Sequence, residues 1–412
     1  MSKRIPLGLT IALVLLTAAI SISVTMAVSV KQFNGKLDVG NQAAISLKLS
    51  EIDSKIRSQY MGAIDEANLQ DHIAAGYMAG IGDRYASYYS VEQTKDKLNS
   101  LAGSEVGLGI QVTQTGDGSV VIFDVMSGTP AERAGVQEGD IITEAEGQSV
   151  ADMSLYEVRD LLVGAVGTTA NFTVTRGEET IPFSILRENY TNVSVSYTVM
   201  DGIGYVDVDE FNESTDEQFI MAMEDLQSQG VSAVVFDMRN NLGGTLDSVA
   251  KSLDYLLPEG PIVYKTAKNS SREVLYSSDP DEVDLPMMVL VNEQTASAAE
   301  LFACALRDYG KAQLVGTLTY GKGCMQNFEQ LSDGSGINFT VANFDPPKSE
   351  NFDGKGLIPD FEVTLTDEQK NNFYLLPKEE DPQLQKALSL LNESLSSSSE
   401  EQVSSGEEQP AE

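Results

Sequence analysis

Three short stretches concentrate the residues that could do chemistry. Asp237-Met238-Arg239-Asn240-Asn241-Leu242-Gly243-Gly244 follows an apolar run and precedes a helical pattern. Its polar residues and paired glycines make a loop whose backbone can approach a ligand closely. Asn292-Glu293-Gln294-Thr295-Ala296-Ser297-Ala298-Ala299-Glu300 lies at a second strand-to-helix junction. A serine there is exposed, and a helix N-terminus favours developing negative charge; taken alone, Ser297 reads as an N-cap. The third stretch, Gly316-Thr317-Leu318-Thr319-Tyr320-Gly321-Lys322-Gly323-Cys324-Met325-Gln326, sets a lysine between glycines, which alone reads as a surface turn.

Much other chemistry is excluded. The chain has one histidine, His72, so HExxH and multi-histidine metal sites are ruled out, and a Ser-His-Asp triad would have to use that residue. Two cysteines without a CxxC support neither a zinc site nor a disulfide framework; Cys304 and Cys324 are expected to be free and buried, with their pairing as the alternative. No metal or cofactor is expected. Ser248-Val249-Ala250-Lys251 is the only SxxK, but SDN and KTG partners are missing, so it reads as a helix face. No GxSxG elbow or GxxxxGK[ST] loop occurs. The balance of 27 basic against 62 acidic residues, a net charge of −35 over 412 residues, disfavours a nucleic-acid partner.

The elements that must position these stretches follow from patterning. Lys3 and Arg4 precede Ile5 to Val30, which carries no charged side chain. That is long enough to span a bilayer, with the basic residues inside and the remaining chain outside. A signal anchor or transmembrane helix over 1–30 is expected, with a signal peptide cleaved after Ala27 as the alternative. Residues 31–102 read as a helical N-terminal region: Ile45, Leu49, Ile52 and Ile56 recur at helical spacing, a second helix runs from about Leu69 to Ile81, and Tyr85, Tyr88 and Tyr89 precede a polar helix. Residues 189–378 alternate apolar strands, such as Val231 to Met238 and Met287 to Val291, with helices, an α/β layer pattern. The serine- and glutamate-rich end, 379–412, is expected to be a solvated, disordered tail.

Residues 103–188 resemble a PDZ domain of the bacterial type. The resemblance rests on Gly107-Leu108-Gly109-Ile110 and on Gly128-Thr129-Pro130-Ala131-Glu132-Arg133-Ala134-Gly135-Val136 followed by Gly139-Asp140-Ile141-Ile142. It implies capture of a peptide C-terminus: the turn at Gly107, Leu108 and Gly109 would hold the carboxylate, and the strand from Ile110 would accept the peptide as an added strand. Together with the three stretches above and Gly354-Lys355-Gly356-Leu357-Ile358-Pro359-Asp360, the chain resembles the carboxyl-terminal processing peptidases over nearly all of residues 41–378.

This resemblance implies an α/β, ClpP/crotonase-like protease core with an inserted PDZ domain, and a serine endopeptidase acting on unstructured polypeptides with exposed apolar C-termini. By it, Ser297 is the nucleophile, Lys322 the general base and Gln326 the residue that holds the lysine. The oxyanion donors would be N–H groups of Ala298 and of Gly243 or Gly244, with Gly243 favoured. The physics agrees. A lysine takes a proton from serine only when neutral, so working near pH 7 needs a shift of about three units, roughly 4–5 kcal/mol, hence a buried site. Leu318, Tyr320 and Met325 could supply apolar surroundings, and the neutral Gln326 can orient the amine without raising its pKa. Three departures from the family stand out: Leu242 where proline is common, Tyr320 where phenylalanine is common, and Val163 where many relatives have arginine. The expected setting is the plasma membrane, single-pass, with the globular part extracytoplasmic, and a homodimer through the N-terminal helices is a further expectation. The competing readings are a catalytically silent, membrane-tethered PDZ scaffold and an acyl-CoA enzyme on the same core.

Overall fold

The computed structural model describes residues 39–405. The apolar run at 5–30, and with it the anchor, lies outside the described residues; among these, no helix is long and apolar enough to cross a membrane. The described residues fall into two compact units divided after Gln70. In the first, the helix Val39–Gln59 carries Ile45, Leu49, Ile52 and Ile56 on one stripe, all exposed. Arg57 braces its end through Asp53 at 2.7 Å and Glu66 at 2.6 Å.

In the second unit, a six-stranded mixed sheet runs in the order Val195–Met200, Ile203–Val208, Ala233–Asp237, Met287–Val291, Ala312–Gly316 and Phe361–Glu362. The first pair is antiparallel and the remaining pairs are parallel. Ala233–Asp237 and Met287–Val291 are buried at every position, as strands covered on both faces must be. One face packs on the helices Thr215–Ser228, Leu246–Leu256 and Ala298–Asp308, around Phe211, Phe219, Phe236 and Phe302.

The other face is covered by the C-terminal helix Pro382–Ser405, where the sequence reading expected disorder. Leu384, Ala387 and Leu391 are buried against Ile203, Tyr205, Ala233, Val235, Met288 and Leu290. The spacing of those three residues is helical, but the surrounding serines and glutamates dominate the composition and hide the stripe.

A second sheet joins Ser87–Tyr89, Gly336–Asp345, Gly260–Ala267 and Glu273–Ser278, with Cys324–Gln330 also paired to Gly336–Asp345. Here the helical reading of 31–102 is corrected. The helices Glu66–Gly80 and Val91–Leu101 form, but Ser87–Tyr89 is a strand that pairs antiparallel with Gly336–Asn338. Its tyrosines are built into the sheet that carries the lysine loop.

A separate sheet runs in the order Ile110–Gln114, Val120–Val125, Ile141–Ala145, Thr169–Arg176 and Glu179–Leu186. Two helices accompany it. Pro130–Ala134 ends on Gly135 at φ 83°, and Leu155–Leu162 starts with a capping box between Ser154 and Glu157. The buried Asp140 is held by Arg176 at 2.7 Å. This sheet meets the segment after the six-stranded sheet where Phe123 stacks on Tyr374, ring centroids 4.4 Å apart.

Candidate active site

Parallel pairing brings the first two stretches together. Asp237 and Leu290 are in register, so the loops leaving those strands start side by side. Side-chain amides then tie them. Asn240 N–H donates to Asn292 Oδ1 at 2.9 Å, and Asn292 Nδ2 returns a bond to Asn240 Oδ1 at 2.8 Å. Asn241 donates through Nδ2 to Val208 O at 2.7 Å, and its carbonyl accepts Ala296 N–H at 2.9 Å. Thr295 Oγ1 donates to Met238 O at 2.7 Å. Gly243, at φ 98°, lies so close to the serine that a Cβ on it would fall 2.8 Å from Ser297 Cβ. Only glycine fits both constraints.

Ser297 itself has φ 57° and ψ −115°, a conformation a non-glycine residue rarely holds. Such strain costs about 1–3 kcal/mol and persists only where the surroundings over-determine it. What over-determines it is Glu300, one turn into the helix and fully buried. Glu300 Oε2 accepts the N–H groups of Ser297 at 2.9 Å and Lys322 at 2.8 Å. Glu300 Oε1 accepts Thr319 Oγ1 at 2.5 Å and Gly321 N–H at 2.7 Å. Burial pushes the Glu300 carboxyl above its ordinary range, and these four donors pull back against that shift.

The lysine loop closes the site. Lys322 is half-buried, and its amine donates to Gln326 Oε1 at 2.6 Å. Gln326 Nε2 in turn donates to the carbonyl of Tyr85 at 2.7 Å. Among the described residues Lys322 forms no ion pair. Burial depresses its pKa; the thiol of Cys324 and the carboxylates of Asp83 and Asp353 oppose that shift, and Lys97 reinforces it.

The structure therefore gathers Ser297, Ala298, Gly243, Gly244, Lys322 and Gln326 around one centre. Ser297 and Lys322 are joined through their backbones by Glu300, while the amine is turned to Gln326. The favoured oxyanion donor needs revision, because Gly243 N–H is occupied by Asn241 Oδ1 at 2.8 Å. Gly244 bridges Phe211 as in a parallel ladder, with Phe211 N–H bonded to Gly243 O and Thr245 N–H bonded to Phe211 O. That pattern leaves the N–H of Gly244 without a protein acceptor among the described residues, and the same holds for Ala298.

Lys251 is no competitor. It is half-exposed and pairs with Asp216 at 3.2 Å and Asp247 at 2.8 Å, which hold it protonated. His72 is exposed on the helix Glu66–Gly80. Cys304 and Cys324 are free and buried, as expected; burial pushes the Cys304 thiol up to about 12.

In the separate sheet, Ile110–Gln114 is the terminal strand, so one of its edges pairs with no strand among the described residues. Leu108 is buried with its carbonyl accepting Ala131 N–H at 2.9 Å, and Gly109 turns at φ 78°. Gly107 lies outside that turn, in a ribbon pairing Ser104–Gly107 with Glu188–Thr191.

Sequence reasoning missed Glu300 and Tyr85 as site residues. The Ser297-x-x-Glu300 spacing was the available signal for the first, since it is that of a capping box. No local signal marks Tyr85.

Residues 202–363 match the model of peptidase family S41, and residues 106–186 match that of the PDZ domain. A "Probable CtpA-like serine protease" of Staphylococcus aureus strain MSSA476 is 30% identical over 385 residues, covering 91% of this chain and 76% of the relative. A protein of the same description from Staphylococcus haemolyticus strain JCSC1435 is 30% identical over 358 residues, covering 86% and 71%. Among solved structures, a putative S41 protease from Bacteroides fragilis NCTC 9343 superposes with a TM-score of 0.57 at 20% identity, over 83% of this chain and 96% of the other, which shows a shared fold.

Proposed function

This chain belongs to peptidase family S41 and is a serine endopeptidase, and from that premise we propose that Ser297 attacks the scissile carbonyl with Lys322 as its general base. The observation that carries the proposal is the setting of the Lys322 amine. It is half-buried, depressed in pKa by that burial, and bonded to a neutral oxygen in place of a carboxylate. A lysine so placed can be neutral at working pH, which a paired lysine such as Lys251 cannot.

The steps follow from the residues. Lys322 takes the Ser297 hydroxyl proton as Oγ attacks, and the resulting oxyanion lies against the N–H groups of Ala298 and Gly244, worth about 3–4 kcal/mol of barrier. The ammonium then protonates the leaving amine, an acyl-Ser297 ester remains, and water activated by the neutral lysine hydrolyses it. Gln326 holds the amine throughout. The strained backbone of Ser297 fixes the direction of its Oγ before substrate arrives.

The small domain is the recruiting module in this reading. Its terminal strand Ile110–Gln114, the Leu108-Gly109 turn and the helix Leu155–Leu162 would take an apolar polypeptide C-terminus by strand addition. A substrate with a free apolar C-terminus should be cut faster than the same chain carrying a C-terminal Asp-Asp or an amide; equal rates would remove capture from the account. The α/β core is read as ClpP/crotonase-like. The run at 5–30 is read as a plasma-membrane anchor with the enzyme outside the cytoplasm. The exposed stripe of Ile45, Leu49, Ile52 and Ile56 supports a homodimer through the N-terminal helices.

A further inference from the structure

We propose that Tyr85 is a positioning residue for the base: it fixes which end of the Gln326 amide faces Lys322 and walls the amine from water. The inference rests on the Ser297–Lys322 reading and deepens it.

Tyr85 is 241 residues from Gln326 in sequence and touches the base assembly at three points. Its carbonyl accepts Gln326 Nε2 at 2.7 Å. An amide free to turn would present its NH2 to the lysine, donor against donor; the Tyr85 carbonyl forces the oxygen toward Lys322 Nζ. Its hydroxyl donates to Gly321 O at 3.2 Å and lies 3.3 Å from Asp353 Oδ1, beside the residue that precedes Lys322. Its ring centroid is 5.1 Å from Lys322 Nζ.

The segment is itself pinned. Asp83 Oδ1 accepts Tyr85 N–H at 3.0 Å, and Asp83 Oδ2 accepts Thr340 N–H at 2.8 Å on the strand Gly336–Asp345. Thr340 pairs with Gln326 across that sheet. The Tyr85 loop and the Gln326 strand therefore move as one body. Arg84 lies over the same ring, 4.4 Å from its centroid.

The charged and titratable groups around Lys322 are Asp83 from the Tyr85 loop, Asp353 from the loop after Asn351, Cys324 from the strand that follows Lys322 and Lys97 from the helix Val91–Leu101. The ring acts on the amine in two opposed ways. Its π face attracts the ammonium, but at a distance near the outer limit of about 6 Å for such contacts. Its bulk excludes water, and burial is the leading cause of the depressed pKa. The second effect wins, so opening this wall should raise the pKa of Lys322.

The test is the rate of Ser297 labelling by a fluorophosphonate as a function of pH, in the full chain and in its Tyr85→Phe, Tyr85→Leu and Lys322→Ala variants. Tyr85→Phe keeps the ring and the carbonyl but loses the hydroxyl contacts; it should slow labelling about 3–10-fold and leave the ascending limb in place. Tyr85→Leu should move that limb up by about one pH unit, with most of the rate recovered at high pH. A structural role alone would lower the rate equally at every pH. A Tyr85→Leu limb at the wild-type position overturns the proposal. If the leucine variant does not fold, Tyr85→Met, which also removes the ring, decides by the same criterion: a limb at the wild-type position overturns the proposal. A Lys322→Ala variant that labels with the wild-type rate and limb overturns the base assignment itself, an outcome distinct from a failure at Tyr85.

Discussion

The backbone N–H groups of Ser297 and Lys322 donate to the same oxygen, Glu300 Oε2, at 2.9 and 2.8 Å. The proposed nucleophile and the proposed base come from different loops, yet one buried carboxylate sets the distance between their backbones. The same carboxylate holds Ser297 in its strained conformation. Glu300 thus performs for the site what a cap performs for a helix, with the lysine loop included.

The first prediction concerns that carboxylate. Glu300→Gln keeps the shape but turns one acceptor oxygen into a donor that faces two existing donors. Leaving buried polar groups unsatisfied costs about 1–3 kcal/mol each. Turnover should fall about 100-fold or more, with a lower midpoint in urea unfolding. Wild-type turnover by Glu300→Gln would show that Glu300 does not set the site.

A second prediction follows from pH. Burial holds the pKa of Lys322 below its ordinary 10.5. Between the folded value and 10.5 the unfolded chain binds the extra proton, so stability rises with pH across that window. Activity rises through the folded pKa for a separate reason: the base must be neutral. kcat/KM should therefore climb on a limb below the ordinary lysine range. Asp353→Asn removes a charge that favours the ammonium, so its limb should lie at lower pH than wild type.

The C-terminal helix supplies a third. Arg239 pairs with Asp237 at 2.5 Å and Asp381 at 2.7 Å, and donates to Gln383 Oε1 at 2.9 Å, all buried. The Asp237-x-Arg239 part of the glycine-loop motif therefore fastens the start of that helix to the glycine loop. Asp381→Ala leaves the buried guanidinium short of a partner and should cost about 3–5 kcal/mol in urea unfolding. Leu384→Ala, which opens a cavity on the same face, should cost about 2–5 kcal/mol. A tail without structure would tolerate both.

A fourth prediction separates the two lysines. Lys251→Ala removes an exposed pair with Asp247 and one partner of the buried Asp216; it should cost some stability but leave kcat/KM unchanged. A loss of activity there would reopen the SxxK reading.

The sequence carried the strands, the helices and the chemistry where a local pattern encodes them. Buried parallel strands read as apolar runs, so Met287–Val291 was placed at its true limits. The serine junction and the glycine loop were legible because each sits at a strand end. Three features were hidden for definite reasons. Glu300 looked like a helix-start residue because its second set of donors comes from a loop distant in sequence. Ser87–Tyr89 followed a helix and preceded another, and its partner strand lies far along the chain. The helix Pro382–Ser405 buries leucines in a segment whose overall composition is that of a disordered tail. In each case the deciding contact is non-local, which periodicity and composition do not register.

The most direct test of the central claim compares wild type, Ser297→Ala and Lys322→Ala on one unfolded protein with a free apolar C-terminus, products read by mass spectrometry and folding checked by thermal melts. The account predicts that wild type cuts and that both variants, still folded, lose about 10⁴-fold or more of kcat/KM. Full-rate cleavage by Lys322→Ala would contradict it.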